Sequence, residues 1–181
     1  MRSFPLKLAL LGVVATAVVA LAATSASAVE ETGATCASSS AVATLSPGVE
    51  EGAGKVQNIT IKGTVSGCTG SAGSSAKLLV HVKTAVPVTC ATLNGEGSLA
   101  EGTGSFKWGH GQGNSQGSFS LTGTVASSSL SGALEAGPYA GMKALGTFAG
   151  TPVFKGKGEP CTKKNKLKRI ELTGTSPLAI S

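Results

Sequence analysis

Three observations predict an all-β domain. Apolar residues recur at every second position in short runs, and turn residues punctuate the chain every eight to twelve positions. After residue 28 no stretch holds apolar residues at i, i+3, i+4 and i+7 over three turns without a Gly or a Ser run intervening. Composition agrees. With 26 Gly among 181 residues and only 13% charged, the chain suits neither a helical bundle nor a coiled coil, while 41% hydrophobic residues exclude a disordered tail. No Asp occurs anywhere, which excludes an Asp-based triad, an aspartyl nucleophile and a D-x-[DN]-x-[DN]-G calcium loop.

Residues 1–28 read as a secretory signal. Arg2 and Lys7 form a basic start, residues 8–23 are an uncharged apolar run of 16, and Ala26-Ser27-Ala28 supplies the small-x-small cleavage pattern. That run is too short, too rich in Ala and too broken by Gly12 for a membrane anchor, and no later run is long enough to span a bilayer. No aliphatic residue stands ahead of Cys36 to mark lipidation, so a soluble exported product is expected. Removing 28 residues from 181 leaves 153 (residues 29–181), with 13 basic and 9 acidic side chains. That length suits a single domain.

The strands follow in order. Residues 41–45 are a weak candidate, closed by a turn at Ser46-Pro47-Gly48. Ile59, Ile61, Gly63 and Val65 alternate with Thr60, Lys62 and Thr64. Leu78, Val80 and Val82 alternate with Lys77, His81 and Lys83, with Leu79 as the exception. Residues 86–93 are a weaker candidate. Phe106 and Trp108 flank Lys107, and a Gly-rich loop at residues 109–117 leads to Phe119, Leu121, Gly123 and Val125. Residues 130–136, 145–148 and 151–154 are further weak candidates. Gly156-Lys157-Gly158-Glu159-Pro160 breaks the chain before Ile170, Leu172 and Gly174. Eight to ten strands result. Connections of no more than about a dozen residues are too short for parallel crossovers, leaving an antiparallel β-barrel or β-sandwich. Gly63, Gly123 and Gly174 sit on inward positions and suit the strong coiling of a barrel.

Export sets an oxidising compartment, so Cys36, Cys68, Cys90 and Cys161 are read as two disulfides. A zinc site would need close pairs, and the gaps here are 32, 22 and 71 residues. Three connectivities exist. If Cys36 leads the first strand and Cys68 closes the second, a turn near residue 52 brings them together in one hairpin, which leaves Cys90 with Cys161.

The order of features is similar to a group of small secreted β-proteins of high-GC Gram-positive bacteria. It consists of the signal, Cys36, Leu45-Ser46-Pro47-Gly48, Gly63-Thr64-Val65-Ser66-Gly67-Cys68, Trp108-Gly109, Phe148-Ala149-Gly150 and Cys161. The resemblance implies export, a β fold and disulfides, and implies no catalytic or binding residue.

The reactive inventory argues against an enzyme. His81 falls on the polar face of its strand, and His110 lies in a Gly-rich turn that lacks the Lys-[Ser/Thr] and following helix of a phosphate loop. No G-x-S-x-G elbow occurs. Glu30-Glu31 and Glu50-Glu51 read as solvated terminus and turn, and Glu96 and Glu101 share one loop-like stretch, so no carboxylate pair spans a cleft. No catalytic residue, metal ligand or cofactor is expected.

Charge is local. Between Lys155 and Arg169 lie seven basic residues and one acid, against six basic and eight acidic in the rest of the exported chain. The plainer reading of Lys163, Lys164, Lys166, Lys168 and Arg169 is a solubilising turn and strand edge. The functional reading is an anion-binding patch for anionic wall polymer or lipid head groups outside the cell. Nucleic acid is not expected, because export removes the usual target and stacking aromatics are absent. A carrier barrel holding a small apolar ligand is the alternative, and a hydrolase a distant second.

Overall fold

The computed structural model describes residues 32–52, 54–95 and 99–181. The expected signal segment, together with Glu30, Glu31 and Glu96, lies outside the described residues. Nine strands form: β1 (Ala34–Val49), β2 (Asn58–Cys68), β3 (Ser75–Thr84), β4 (Ala100–Trp108), β5 (Asn114–Gly123), β6 (Ser128–Ala136), β7 (Lys143–Val153), β8 (Leu167–Gly174) and β9 (Leu178–Ile180). Each of β1 to β8 pairs antiparallel with the next, and β8 pairs back onto β1. The sheet therefore closes into an eight-stranded up-and-down barrel, and the sandwich alternative falls away.

Short β9 extends the wall along the seam. Ser40 faces Thr173 on β8, whereas Cys36 faces Leu178 and Ala34 faces Ile180 on β9. The chain thus runs on past a break at residues 175–177 and finishes the gap between β1 and β7.

The period of two becomes an inside and an outside. In β3, Ala76, Leu78, Val80, Val82 and Thr84 are buried while the residues between them, Leu79 included, face outward. Phe106 packs against Trp108 and Phe119 at ring-centroid distances of 5.9 and 6.0 Å, and Phe148, Leu134 and Leu178 complete the filling. Offset and tilted aromatic pairs of this kind add to what their burial alone contributes. Gly132 faces Phe119 across the sheet, and a Cβ there would collide with the ring. Gly63 and Gly174 likewise face in, giving room to Ala41 and Ser39. Gly123 does not: it is exposed, takes φ +104°, and ends β5, so Val125 lies beyond the strand.

Connections 50–57, 85–99, 124–127 and 154–166 gather at one barrel end, and 69–74, 109–113 and 137–142 at the other. The second end is sealed by Tyr139, which is fully buried at φ +65°. Its hydroxyl accepts the Ala72 N–H at 3.0 Å, and its ring meets Trp108 edge-on at 5.3 Å. Trp108 Nε1 donates to Ser115 Oγ at 2.8 Å, and that hydroxyl donates to the Pro138 carbonyl.

Two expectations are corrected at the first end. Residues 86–93 form no strand; a short helix, α1 (Cys90–Asn94), begins there because Thr89 and Thr92 cap each other's backbone N–H groups. It lies within a 15-residue connection, longer than expected. Ser46-Pro47-Gly48 is not a turn between strands but an irregularity inside β1. Thr44 pairs with Arg169 and Val49 with Leu167, so β1 carries three more residues than β8 over this interval. Buried Gln57 satisfies the displaced backbone: its Oε1 accepts the Gly48 N–H at 2.9 Å and its Nε2 donates to the Gly48 carbonyl.

The disulfides are Cys36–Cys68 and Cys90–Cys161, and no described cysteine is free. Cys36 and Cys68 are register partners at the end of the β1–β2 hairpin. Cys90–Cys161 ties α1 to the 154–166 connection. No helix among the described residues is long and apolar enough to cross a membrane.

Candidate functional site

The five basic residues singled out in the sequence converge. With Lys155, Gly156, Val153 and Asn165 they line a cleft of about 270 Å³ where the 154–166 connection folds over the start of β8. Five lysines and one arginine therefore share one concavity. Lys155, Lys163, Lys164 and Lys168 have no carboxylate within ion-pair distance among the described residues. Arg169 pairs with exposed Glu171 at 3.2 Å, a solvated pair of small net energy.

Lys166 behaves differently. Its Nζ lies 3.2 Å from Glu50 Oε1, and Glu50 is 8% exposed rather than solvated as its place in a turn suggested. Lys55 approaches the same oxygen at 3.9 Å, and Glu50 Oε2 has no hydrogen-bond partner among the described residues. Lys166 thus anchors the connection instead of projecting freely. The strand also starts earlier than alternation implied: Leu167 is buried, so β8 enters the core there and not at Ile170. Lys168 leaves the wall on the outer side, its stem against Gly48, whose φ of +97° and missing side chain make that close passage feasible.

What shapes the connection is Asn165, only 3% exposed. Its Oδ1 accepts the Gly156 N–H at 2.9 Å, its Nδ2 donates to the Gly158 carbonyl at 3.3 Å, and its carbonyl accepts the Cys161 N–H at 2.9 Å. The Glu51 N–H donates to the Cys161 carbonyl at 2.8 Å, stitching the neighbouring 50–57 connection to it. Neither Asn165 nor Glu50 was singled out in the sequence. An Asn nine residues after a Gly inside a lysine-rich stretch is a faint signal for the first; nothing local marks the second, since its partner is 116 residues away.

The remaining candidates carry less chemistry. A depression of about 740 Å³ on the outer wall, with Ser120, Ser131, Lys143 and Leu145 in its lining, is larger but shallow and has no convergent charge. His81 Nδ1 lies 3.2 Å from Thr60 Oγ1 on the outer wall, and exposed His110 occupies a turn at the barrel end remote from the cleft. Glu51, Cys90 and Cys161 are close enough to suggest a metal site, but both sulfurs are spent in the disulfide. Inside the barrel, the space beneath α1, bordered by Leu93, Leu45, Ile59 and Leu121, amounts to about 40 Å³. Small-molecule pockets run to about 300 Å³ and more, so the lumen in this conformation does not accommodate the ligand a carrier would hold.

No protein-family model, curated protein or solved structure matches the chain.

Proposed function

We propose that this chain is an exported, disulfide-stabilised, non-enzymatic barrel that binds an anionic component of the cell envelope through the lysine cleft. The observation that carries the reading is the cleft itself: six cationic side chains line one concavity, and four of them have no carboxylate partner among the described residues. A merely solubilising edge would scatter its charges. Here Asn165, the Cys90–Cys161 bond and the Lys166–Glu50 pair hold like charges together, against their mutual repulsion. An anionic partner relieves that repulsion, and cationic concavities raise the local concentration of such partners. Two disulfides accord with an oxidising compartment, where envelope polymers and lipid head groups supply the anions.

The test is retention of the purified protein on isolated cell envelope at low and high salt. Retention should fall steeply as ionic strength rises, because exposed charges act over a screening length of about 8 Å at physiological salt. A Lys163→Gln/Lys164→Gln/Lys168→Gln variant should keep its fold and lose retention. Lys166 is left alone because of its buried partner. If the triple variant is retained as the parent is, the cleft is only a solvated edge.

A further inference from the structure

We infer that the same barrel end docks onto the surface of an anionic lipid bilayer, with Val86 and Leu99 entering the head-group boundary while the lysines meet the lipid phosphates; this rests on the anion-binding reading above. Among the described residues four large apolar side chains are exposed: Leu79, Val86, Leu99 and Leu145. Leu79 and Leu145 stand singly on the barrel wall. Val86 and Leu99, 57% and 41% exposed, lie at the two limbs of the connection that carries α1. Those limbs are held together by the Ala85 N–H donating to the Leu99 carbonyl at 3.0 Å.

The apolar pair and the charges share a platform. Lys55 pairs with Val88 through two backbone hydrogen bonds, beside Val86, and the Cys90–Cys161 bond joins this connection to the one bearing Lys155, Lys163 and Lys164. Exposed carboxylates remain at this end in Glu51 and Glu159, against seven basic residues between Lys155 and Arg169. Aliphatic tips ringed by lysines are the combination an anionic membrane surface selects: apolar tips gain by leaving water, and lysines gain from the negative surface potential. A soluble anionic polymer would use the lysines but gains nothing from Val86 and Leu99. Charge complementarity with exposed aliphatics beside it therefore favours lipid over wall polymer.

Two probes separate the claims: vesicles of phosphatidylglycerol and phosphatidylcholine in equal parts, with pure phosphatidylcholine vesicles as control, and soluble polyphosphate. The parent should sediment with the anionic vesicles, not with the control, and less as salt rises. Val86→Ser/Leu99→Ser should weaken vesicle binding roughly tenfold and leave polyphosphate binding unchanged. Val86→Phe should strengthen vesicle binding, a gain that a folding defect cannot imitate. Lys163→Gln/Lys164→Gln/Lys168→Gln should lose both probes. Equal vesicle binding by the serine variant and the parent, or no vesicle binding by the parent, overturns the membrane inference. Failure of the lysine variant to lose polyphosphate overturns the anion-binding reading instead.

Discussion

Replacing Lys166 by Gln should destabilise the barrel, whereas the same change at Lys168 should not. The pair Lys166–Glu50 is separated by 3.2 Å, with the carboxylate side chain 9% and the lysine 24% exposed. At an effective dielectric of about 20 that distance corresponds to about 5 kcal/mol of attraction. Much of this is offset. Lys55 stays 3.9 Å from the same oxygen, though half exposed, a Gln amide can still donate one hydrogen bond, and the lysine's own desolvation cost disappears. A net loss of about 2 kcal/mol remains, or roughly 4–8 °C in Tm for a domain of this length. Urea unfolding of K166Q, K168Q, Glu50→Gln and the E50Q/K166Q double variant measures it. K166Q should fall by that amount, K168Q should stay within about 0.5 kcal/mol, and removing the charge at position 50 should restore part of the loss in the double variant. If K166Q is as stable as the parent, or if the double variant is no better than K166Q, Glu50 is not held by this pair and the ordering of the connection has another cause.

Other outcomes follow from the same geometry. Cys90→Ser/Cys161→Ser removes a constraint on a 71-residue separation and should cost roughly 4 kcal/mol by loop-closure entropy, slightly more than Cys36→Ser/Cys68→Ser across 32 residues. Equal melting temperatures with and without the 90–161 bond would show that Asn165 and the core hold the connection unaided. Gly132→Ala places a methyl into the Phe119 ring and should cost about 1–3 kcal/mol, partly recovered in Gly132→Ala/Phe119→Leu; an unchanged denaturation midpoint for the single variant would refute the contact. Tyr139→Phe strands the Ala72 N–H at the sealed end and should cost about 1–2 kcal/mol, read by the same denaturation; a variant as stable as the parent would show that the hydroxyl matters little.

How much of this was legible in sequence depended on distance along the chain. Strands such as β2 and β3 were readable because one face is lumen and the other water, which writes a period of two into adjacent residues. The Cys36–Cys68 hairpin was readable for the same reason: its register is set by one turn. Residues 86–93 misled because Val86, Val88 and Leu93 look like strand residues, while the deciding feature is a pair of threonines three apart whose cap lacks the usual Glu or Gln. Ser46-Pro47-Gly48 misled because its composition is that of a turn, and only Gln57 opposite explains how β1 carries on past it. The cleft was readable in part, its cations lying within 15 residues of one another, but the burial of Glu50 depends on a partner more than a hundred residues on. Local charge showed where the cleft is; distant packing decided which of its lysines is structural.

The seam between β1 and the last two strands bears on how the chain reaches this state. Every other neighbour in the barrel is joined by a short connection and can zip up locally, but the closing pairs join residues near 34–44 to residues 169–180. Until those late residues arrive, β1 and β7 are open edges, each offering unpaired N–H and C=O groups to any passing strand. Closure of this kind is slow because its loop entropy is met before its contacts form. Concentrated refolding should therefore divert the protein into aggregates through those two edges, and a chain ending before residue 167 should keep most of its hairpins yet remain permanently adhesive.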